Sequence, residues 1–267
     1  MRQDNFIDHV NHPTALLIRA LLEREQRRQL EQIIIDDEEN ILQALSAGVK
    51  LKMLITTDKD ALSQKLREVL PSDVPMVVLS RRTGKKLFGG EKVSRNFAIA
   101  TIPQPFPLEL LLSCKKDLVI LDHLSISGNI GAIIRTSAAL NIGAMVLLGG
   151  EHMDIYDRRI IRASRGLIFK LPVLSVTSNT LIHFCNKNNI KLVVMSVYGD
   201  HLVEEVMKEQ GRIAIVLGSE KEGCSQDVFD AAHFKTKILL QPIVESLNVS
   251  VAAGIVIYLR ELYRRLL

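Results

Sequence analysis

The sequence predicts an α/β protein in two domains, and three observations carry that prediction. Short runs rich in β-formers alternate with longer segments of helical spacing along the whole chain of 267 residues, the signature of strands and helices packed in layers. The apolar runs lack strict alternation, so their strands are expected to be buried on both faces, as in parallel sheets. One cluster of prolines, Pro103, Pro105 and Pro107, interrupts both patterns, because prolines that close together continue neither a helix nor a central strand.

The domains then read as 1–102, a linker over 103–112, and a larger domain over 113–267. In the first, Leu51–Thr56, Met76–Leu79 and Phe97–Ile102 read as strands, and Glu38–Ala47 and Ala61–Leu70 as helices. In the second, Leu118–Leu121, Met145–Leu148, Leu192–Met195, Ile213–Leu217 and Ile238–Leu240 read as strands, with helices over Ile130–Leu140 and Leu181–Asn188. Val249 to Leu267 reads as one long helix, apolar early and basic at Arg260, Arg264 and Arg265.

An apolar fraction of 47% against 24% charged residues places the chain among globular rather than disordered proteins. The net charge of +4 permits an anionic partner without requiring one. Cys114, Cys185 and Cys224 are odd in number and far apart, which argues for a reducing compartment and against a disulfide framework or metal site. The longest apolar stretch, around Val249 to Leu259, falls short of the roughly 20 residues that a spanning helix needs. A soluble, cytoplasmic protein without a membrane partner is the expectation.

Ligands of open α/β sheets sit where strands end and helices begin, and several distinctive stretches follow predicted strands. After Leu121-Asp122 comes Ser127-Gly128-Asn129-Ile130-Gly131-Ala132-Ile133-Ile134-Arg135. Gly128, Gly131 and Arg135 would share one helical stripe, and Asn129 falls where a cap is expected. After Ile213–Leu217 comes Gly218-Ser219-Glu220-Lys221-Glu222-Gly223, a tight loop with Glu220 as its nearest acid. After Leu240 comes a polar cluster, Ser246, Asn248 and Ser250, ahead of the apolar helix; capping would account for one or two of the three. Neither a G-x-G-x-x-G nor a Walker pattern occurs.

Two basic stretches complete the set. Arg158, Arg159, Arg162 and Arg165 put four arginines within eight residues, a density suited to fork-like recognition of phosphates and costly without an anion. A solvated charged face is the plain alternative. Residues 81–95 carry six basic side chains, among them Arg81, Arg82, Lys85, Lys86 and Lys92, against one acid. With Gly84, Gly89 and Gly90 lending loop flexibility, this stretch reads as an RNA footprint. Only 4% of residues are aromatic and none is tryptophan, which favours shape and backbone recognition over base stacking.

Taken in order, the stretches around Asn129 to Arg135, Leu217 to Glu220 and Ser246 to Ser250 resemble the three signature motifs of the SPOUT (trefoil-knot) methyltransferases, in the ribose 2′-O-methylating branch. Ser127 to Ser137, Asp157 to Arg159 and Arg162 to Gly166 are further similar to the thiostrepton and nosiheptide resistance methyltransferases. The likeness covers nearly the whole chain. It implies a trefoil knot from about residue 113, a homodimer with the C-terminal helix in its interface, and an N-terminal domain like the small α/β/α ribosomal RNA-binding proteins. It also implies S-adenosylmethionine as cofactor and an adenosine 2′-hydroxyl in the GTPase-associated loop of large-subunit rRNA as acceptor, with no DNA partner. The cofactor would lie at Met195, Leu217, Gly218, Ser219, Ile238, Leu240 and Leu247. Asn129, Arg135, Arg165, Glu220, Ser246 and Asn248 would form the catalytic set. A guanidinium scarcely loses its proton in proteins, so clamping of phosphate and hydroxyl by Arg135 is preferred to general base catalysis, which stays open. One departure is Lys221-Glu222-Gly223-Cys224, where many relatives carry a Gly-Lys-Gly-like segment; it bears on the fine geometry of that loop. The alternatives are the same reaction on transfer RNA or another ribosomal site, and a non-catalytic RNA-binding factor. The intact signature residues speak against the last.

Overall fold

The computed structural model describes residues 6–57, 62–89, 91, 93–149 and 154–266. The chain divides into two compact units. One comprises the residues up to Gln104 together with Asp154–Lys170; the other runs from Pro105, without that excursion, to the C-terminal end. Sequence reading assigned 154–170 to the second domain, whereas its packing belongs to the first.

The first unit contains β1 (Phe6–Ile7), α1 (Pro13–Ala20), α2 (Arg24–Leu30), β2 (Gln32–Asp36), α3 (Glu38–Ser46), β3 (Leu51–Thr56), α4 (Gln64–Val69), β4 (Met76–Leu79), α5 (Arg81–Leu87) and β5 (Asn96–Thr101). Its sheet has the order β1-β4-β3-β5-β2. It is mixed rather than parallel throughout, since β5 runs antiparallel to both β3 and β2. Ile18, Leu21, Ile34, Ile55, Leu79 and Phe97 lie in its core. Local chemistry starts the helices: Pro13 opens α1, Ser63 caps α4 and Ser80 caps α5 by accepting from Thr83 N.

The second unit adds α6 (Leu110–Ser113), β6 (Leu118–Asp122), α7 (Ser127–Ala139) and β7 (Ala144–Leu148). The excursion then supplies α8 (Arg158–Ala163) to the first unit. The second unit resumes with β8 (Val173–Ser175), α9 (Ser178–Lys187), β9 (Lys191–Met195), β10 (His201–Leu202), α10 (Val203–Val206), β11 (Ile213–Gly218), α11 (Gln226–Asp230), β12 (Phe234–Lys237) and α12 (Val249–Leu266). Its sheet, β10-β12-β9-β11-β6-β7-β8, is parallel at every pairing. Both faces of its central strands are buried, Leu118, Ile120, Val194 and Val216 on one, Val119, Leu121, Val193 and Leu217 on the other, which is why the strands read as unbroken apolar runs.

The strand expected over Ile238–Leu240 lies earlier, at Phe234–Lys237. Register explains the shift: Thr236 is already opposite Met195, the last residue of β9, so the ladder ends before the apolar run begins. Residues 81–87, expected as flexible loop, are helical; Gly84 is buried in α5, where an added Cβ would press on Val93 at 3.3 Å. Among the described residues, no helix is long and apolar enough to cross a membrane.

Candidate active site

A parallel sheet delivers every strand to the same edge, so the loops after β6, β9, β11 and β12 leave from neighbouring carboxyl ends. Asp122, ending β6, is in register with Gly218, ending β11, and Leu217 with Met195 of β9. All three signature stretches therefore start from one border of the second unit.

The loop after β11 is closed tightly. Ser219 N donates to Gly223 O at 2.9 Å, Gly223 N returns the bond to Ser219 O at 3.0 Å, and Glu222 N donates to Ser219 Oγ at 3.1 Å. Gly223 has a left-handed φ of 73°, and a Cβ on Gly218 would overlap the backbone of Gly223 and Cys224; glycine is required at both for these separate reasons. The fully buried Asp122 pins the far side, accepting from Ser225 N and Ser225 Oγ, each at 2.7 Å. Its other oxygen shares a 2.7 Å hydrogen bond with His123 Nδ1. Burial, with the Asp122 charge adding to it, pushes the Cys224 thiol up to about 12; it stays protonated and is no nucleophile.

The loop tip places Glu220 against the start of α7. Asn129 Nδ2 donates to Glu220 Oε1 at 2.5 Å, and Asn248 Nδ2 donates to Asn129 Oδ1 at 3.2 Å. Asn248 Oδ1 in turn accepts from Ser250 N at 2.9 Å and Ser250 Oγ at 2.6 Å at the start of α12. One hydrogen-bonded chain thus joins the three stretches, 91 residues apart at one link and 119 at the next. Asn129 does not cap α7, which begins at Ser127; that frees its amide to bridge. Asn248 does both jobs, helix cap and link.

Arg135 is exposed on α7, on the stripe it shares with Gly128, two turns earlier. A Cβ at Gly128 would meet nothing within 4 Å, whereas Gly131, between them on that stripe, is buried. Ser246 is exposed in the loop before α12. Among the expected cofactor residues, Met195, Gly218, Ser219, Ile238, Leu240 and Leu247 are half-buried around this border, whereas the Leu217 side chain is core. Ser196 N donates to Thr236 O at 2.9 Å, tying the loop after β9 to β12, and the buried Thr236 Oγ1 has no hydrogen-bond partner among the described residues.

The basic stretches both lie in the first unit. Arg81, Arg82, Lys85 and Lys86 form the exposed face of α5, whose buried face is Thr83, Gly84 and Leu87. Lys92 lies outside the described residues. The arginines around α8 are sorted by depth. Arg158 is buried, its Nε 2.7 Å from Asp36 Oδ2, its Nη1 3.2 Å from Glu91, and its guanidinium 4.3 Å from the Phe88 ring centre. That is at odds with its expected place among the RNA contacts: acids far off in sequence take up its Nε and Nη1. Arg159 stays exposed and bonds Asp157; burial works against the Asp157 charge, but Arg159 and then Arg27 hold its carboxyl below the usual range. Arg162 faces Asp37 at 4.0 Å and Arg165 faces Glu39 at 3.1 Å.

Sequence reading missed Asp122, Ser225 and Asp36, because nothing in an isolated Asp or Ser tells whether it will be buried against a distant partner. A groove of about 640 Å³ in the second unit, with Leu108, Leu112, His183, Phe184 and Lys187 in its lining, includes no candidate residue. Among the described residues, no group of three His, Cys, Asp or Glu side chains is arranged to hold a metal ion.

Residues 117–258 match the SpoU rRNA Methylase family, and residues 4–114 match the thiostrepton-resistance methylase N terminus. The chain is 31% identical, over 95% of its length and 96% of the relative's, to a 23S rRNA (adenosine(1067)-2′-O)-methyltransferase of Streptomyces azureus. It is 33% identical to the Streptomyces laurentii protein of the same name, covering 89% and 88% of the two chains. The crystal structure of an RNA 2′-O ribose methyltransferase superposes with a TM-score of 0.83 at 26% identity, covering 98% of this chain and all, 100%, of the other. The SpoU methyltransferase AviRb of Streptomyces viridochromogenes, solved with AdoMet, shares the fold at TM-score 0.81 and 23% identity, over 94% and 97% of the chains. With the signature residues of three stretches joined at one sheet border and family matches over 4–114 and 117–258, the chain belongs to the SpoU rRNA methylase family.

Proposed function

We propose that the protein transfers a methyl group from S-adenosylmethionine to the 2′-hydroxyl of an adenosine in the GTPase-associated loop of 23S rRNA, a modification that confers resistance to thiopeptide antibiotics. The observation that carries this reading is the hydrogen-bonded chain Glu220–Asn129–Asn248, read beside the two Streptomyces relatives. The enzyme works in the cytoplasm as a homodimer, with its C-terminal domain tied in a trefoil knot. Exposed Val251, Tyr258 and Leu266 on α12, with Leu239 and Ile243 ahead of it, support an apolar subunit interface.

The residues present fit the cofactor. Half-buried apolar side chains at Met195, Ile238, Leu240 and Leu247, loop main chain at Gly218 and Ser219, and the orphaned hydroxyl of Thr236 suit a ligand with an apolar body and polar ends. S-adenosylmethionine supplies an electrophilic sulfonium methyl group. The protein aligns the acceptor and excludes water. Arg135, a side chain of donors only, clamps the acceptor nucleotide through phosphate and hydroxyl. Glu220, Asn129 and Asn248 hold the loops in register, and the exposed Ser246 hydroxyl would orient the acceptor. The exposed basic face of α5, with Arg159, Arg162 and Arg165, binds the rRNA backbone.

The test is methyl transfer from radiolabelled S-adenosylmethionine to a transcript of the GTPase-associated loop, beside the same transcript with a 2′-deoxy target adenosine. Label on the first and none on the second is expected. Label on both would move the acceptor atom. Label on bulk transfer RNA alone would keep the reaction and overturn the target.

A further inference from the structure

The arginine stretch and the β2–α3 corner meet as a ladder of three ion pairs graded in exposure. Arg158 and Asp36 form the inner rung, with side chains 7% and 0% exposed. Arg162 and Asp37 form the next, at 32% and 50%, and Arg165 and Glu39 the outermost, at 54% and 55%. The ladder sits on a fixed frame. Arg165 and Gly166 both adopt left-handed φ values, 51° and 73°. A Cβ on Gly166 would lie 2.9 Å from both Asn40 Cα and Gln43 Cβ, so the turn is pressed against α3. From the other side Arg27 holds Asp154 at 2.5 Å and donates to the carbonyls of Leu21 and Leu22.

The three rungs therefore differ in what they can give up. The inner pair is enclosed, and separating it would strand a buried charge. The outer two pairs are open to water, where an ion pair contributes little and is readily exchanged. Asp37 is unburdened by capping, since its side chain makes no cap bond to α3, and Glu39 lies in the first turn of that helix. An RNA phosphate offers a guanidinium the same two-pronged acceptor as a carboxylate.

We propose that Asp37 and Glu39 are specificity-setting competitors: they occupy Arg162 and Arg165 in the free protein and yield them to RNA phosphates, while Arg158–Asp36 keeps the stretch in place. RNA without phosphates at both positions meets two arginines already neutralised, so weak and unselective binding is held down. This rests on the reading above that Arg162 and Arg165 face RNA, and the experiment separates the two.

Binding of the GTPase-associated loop transcript and of an unrelated hairpin of equal length would be measured without cofactor, across a salt series. Asp37→Asn/Glu39→Gln is expected to tighten binding of both RNAs by roughly threefold to tenfold and to narrow the gap between them. Asparagine and glutamine match the shape of the acids they replace, so the change at position 37, where φ is 63° and ψ 143°, removes charge without adding bulk. Arg162→Ala/Arg165→Ala is expected to weaken target binding and lower the salt slope by about 1 to 2. A weakened arginine variant beside an acid variant with unchanged or poorer affinity would overturn the competition and leave the RNA contacts standing. An arginine variant with unchanged affinity and slope would overturn both. Removing two acids also lessens the general repulsion of RNA, so the acid pair is repeated in the Arg162→Ala/Arg165→Ala background: a gain lost there supports the competition, and a gain that persists there overturns it.

Discussion

The polar chain of the second unit and the arginine ladder of the first are both built from residues that stand out in sequence, and they are held in opposite ways. Asn129, Glu220 and Asn248 sit at or near the surface and are joined by amide and carboxylate hydrogen bonds. Arg158 is enclosed by Asp36 and Phe88, and only its neighbours reach water. A surface chain of this kind adds little to stability, since its members can turn to solvent. An enclosed charge pair has no such exit once one partner is lost. The contrast separates surface residues that are free to turn to solvent from an enclosed residue that the fold holds in place.

The sharpest way to break that contrast is Asp36→Asn. It removes the charge facing Arg158 deep in the first unit, and a loss of about 3–5 kcal/mol in unfolding free energy is expected, read by denaturant melts. A loss below 1 kcal/mol would mean that the pair is not enclosed in solution. Arg135→Ala tests the other side: an exposed residue, its loss is expected to leave the melting curve in place while lowering methyl transfer by roughly a hundredfold or more. Near-normal turnover would remove Arg135 from the reaction. The smallest effect concerns α5, whose basic side chains are exposed without a buried anchor among them. Lys85→Ala/Lys86→Ala is expected to weaken rRNA binding severalfold and reduce its salt slope by about 1 to 2, with stability unchanged. An unaltered slope would move the footprint off α5.

Much of this was legible in the chain. The strands β5, β6, β7, β9 and β11 could be read from apolar runs because burial on both faces leaves no room for polar alternation. The three signature stretches could be read because each follows a strand. The short strand β2, by contrast, lies between α2 and a left-handed Asp37, and its antiparallel pairing with β5 depends on residues some 65 positions on that no local pattern reveals. The apolar run at 238–240 misled because hydrophobicity marks burial or a binding border as readily as a strand.

Residue periodicity by itself determined the α/β class of both halves, and the ordered motifs carried the resemblance to the family and singled out Asn129, Arg135, Arg165, Glu220, Ser246 and Asn248 as candidates, since periodicity and loop chemistry are written locally. Tertiary structure alone decided that Asp154–Lys170 packs with the first unit, that Asp122 anchors the loop carrying Glu220, and that Arg158 is buried while Arg162 and Arg165 stay open to water. The physical reason is common to all three: a charge is worth what surrounds it, and its surroundings are supplied by residues tens to more than a hundred positions away.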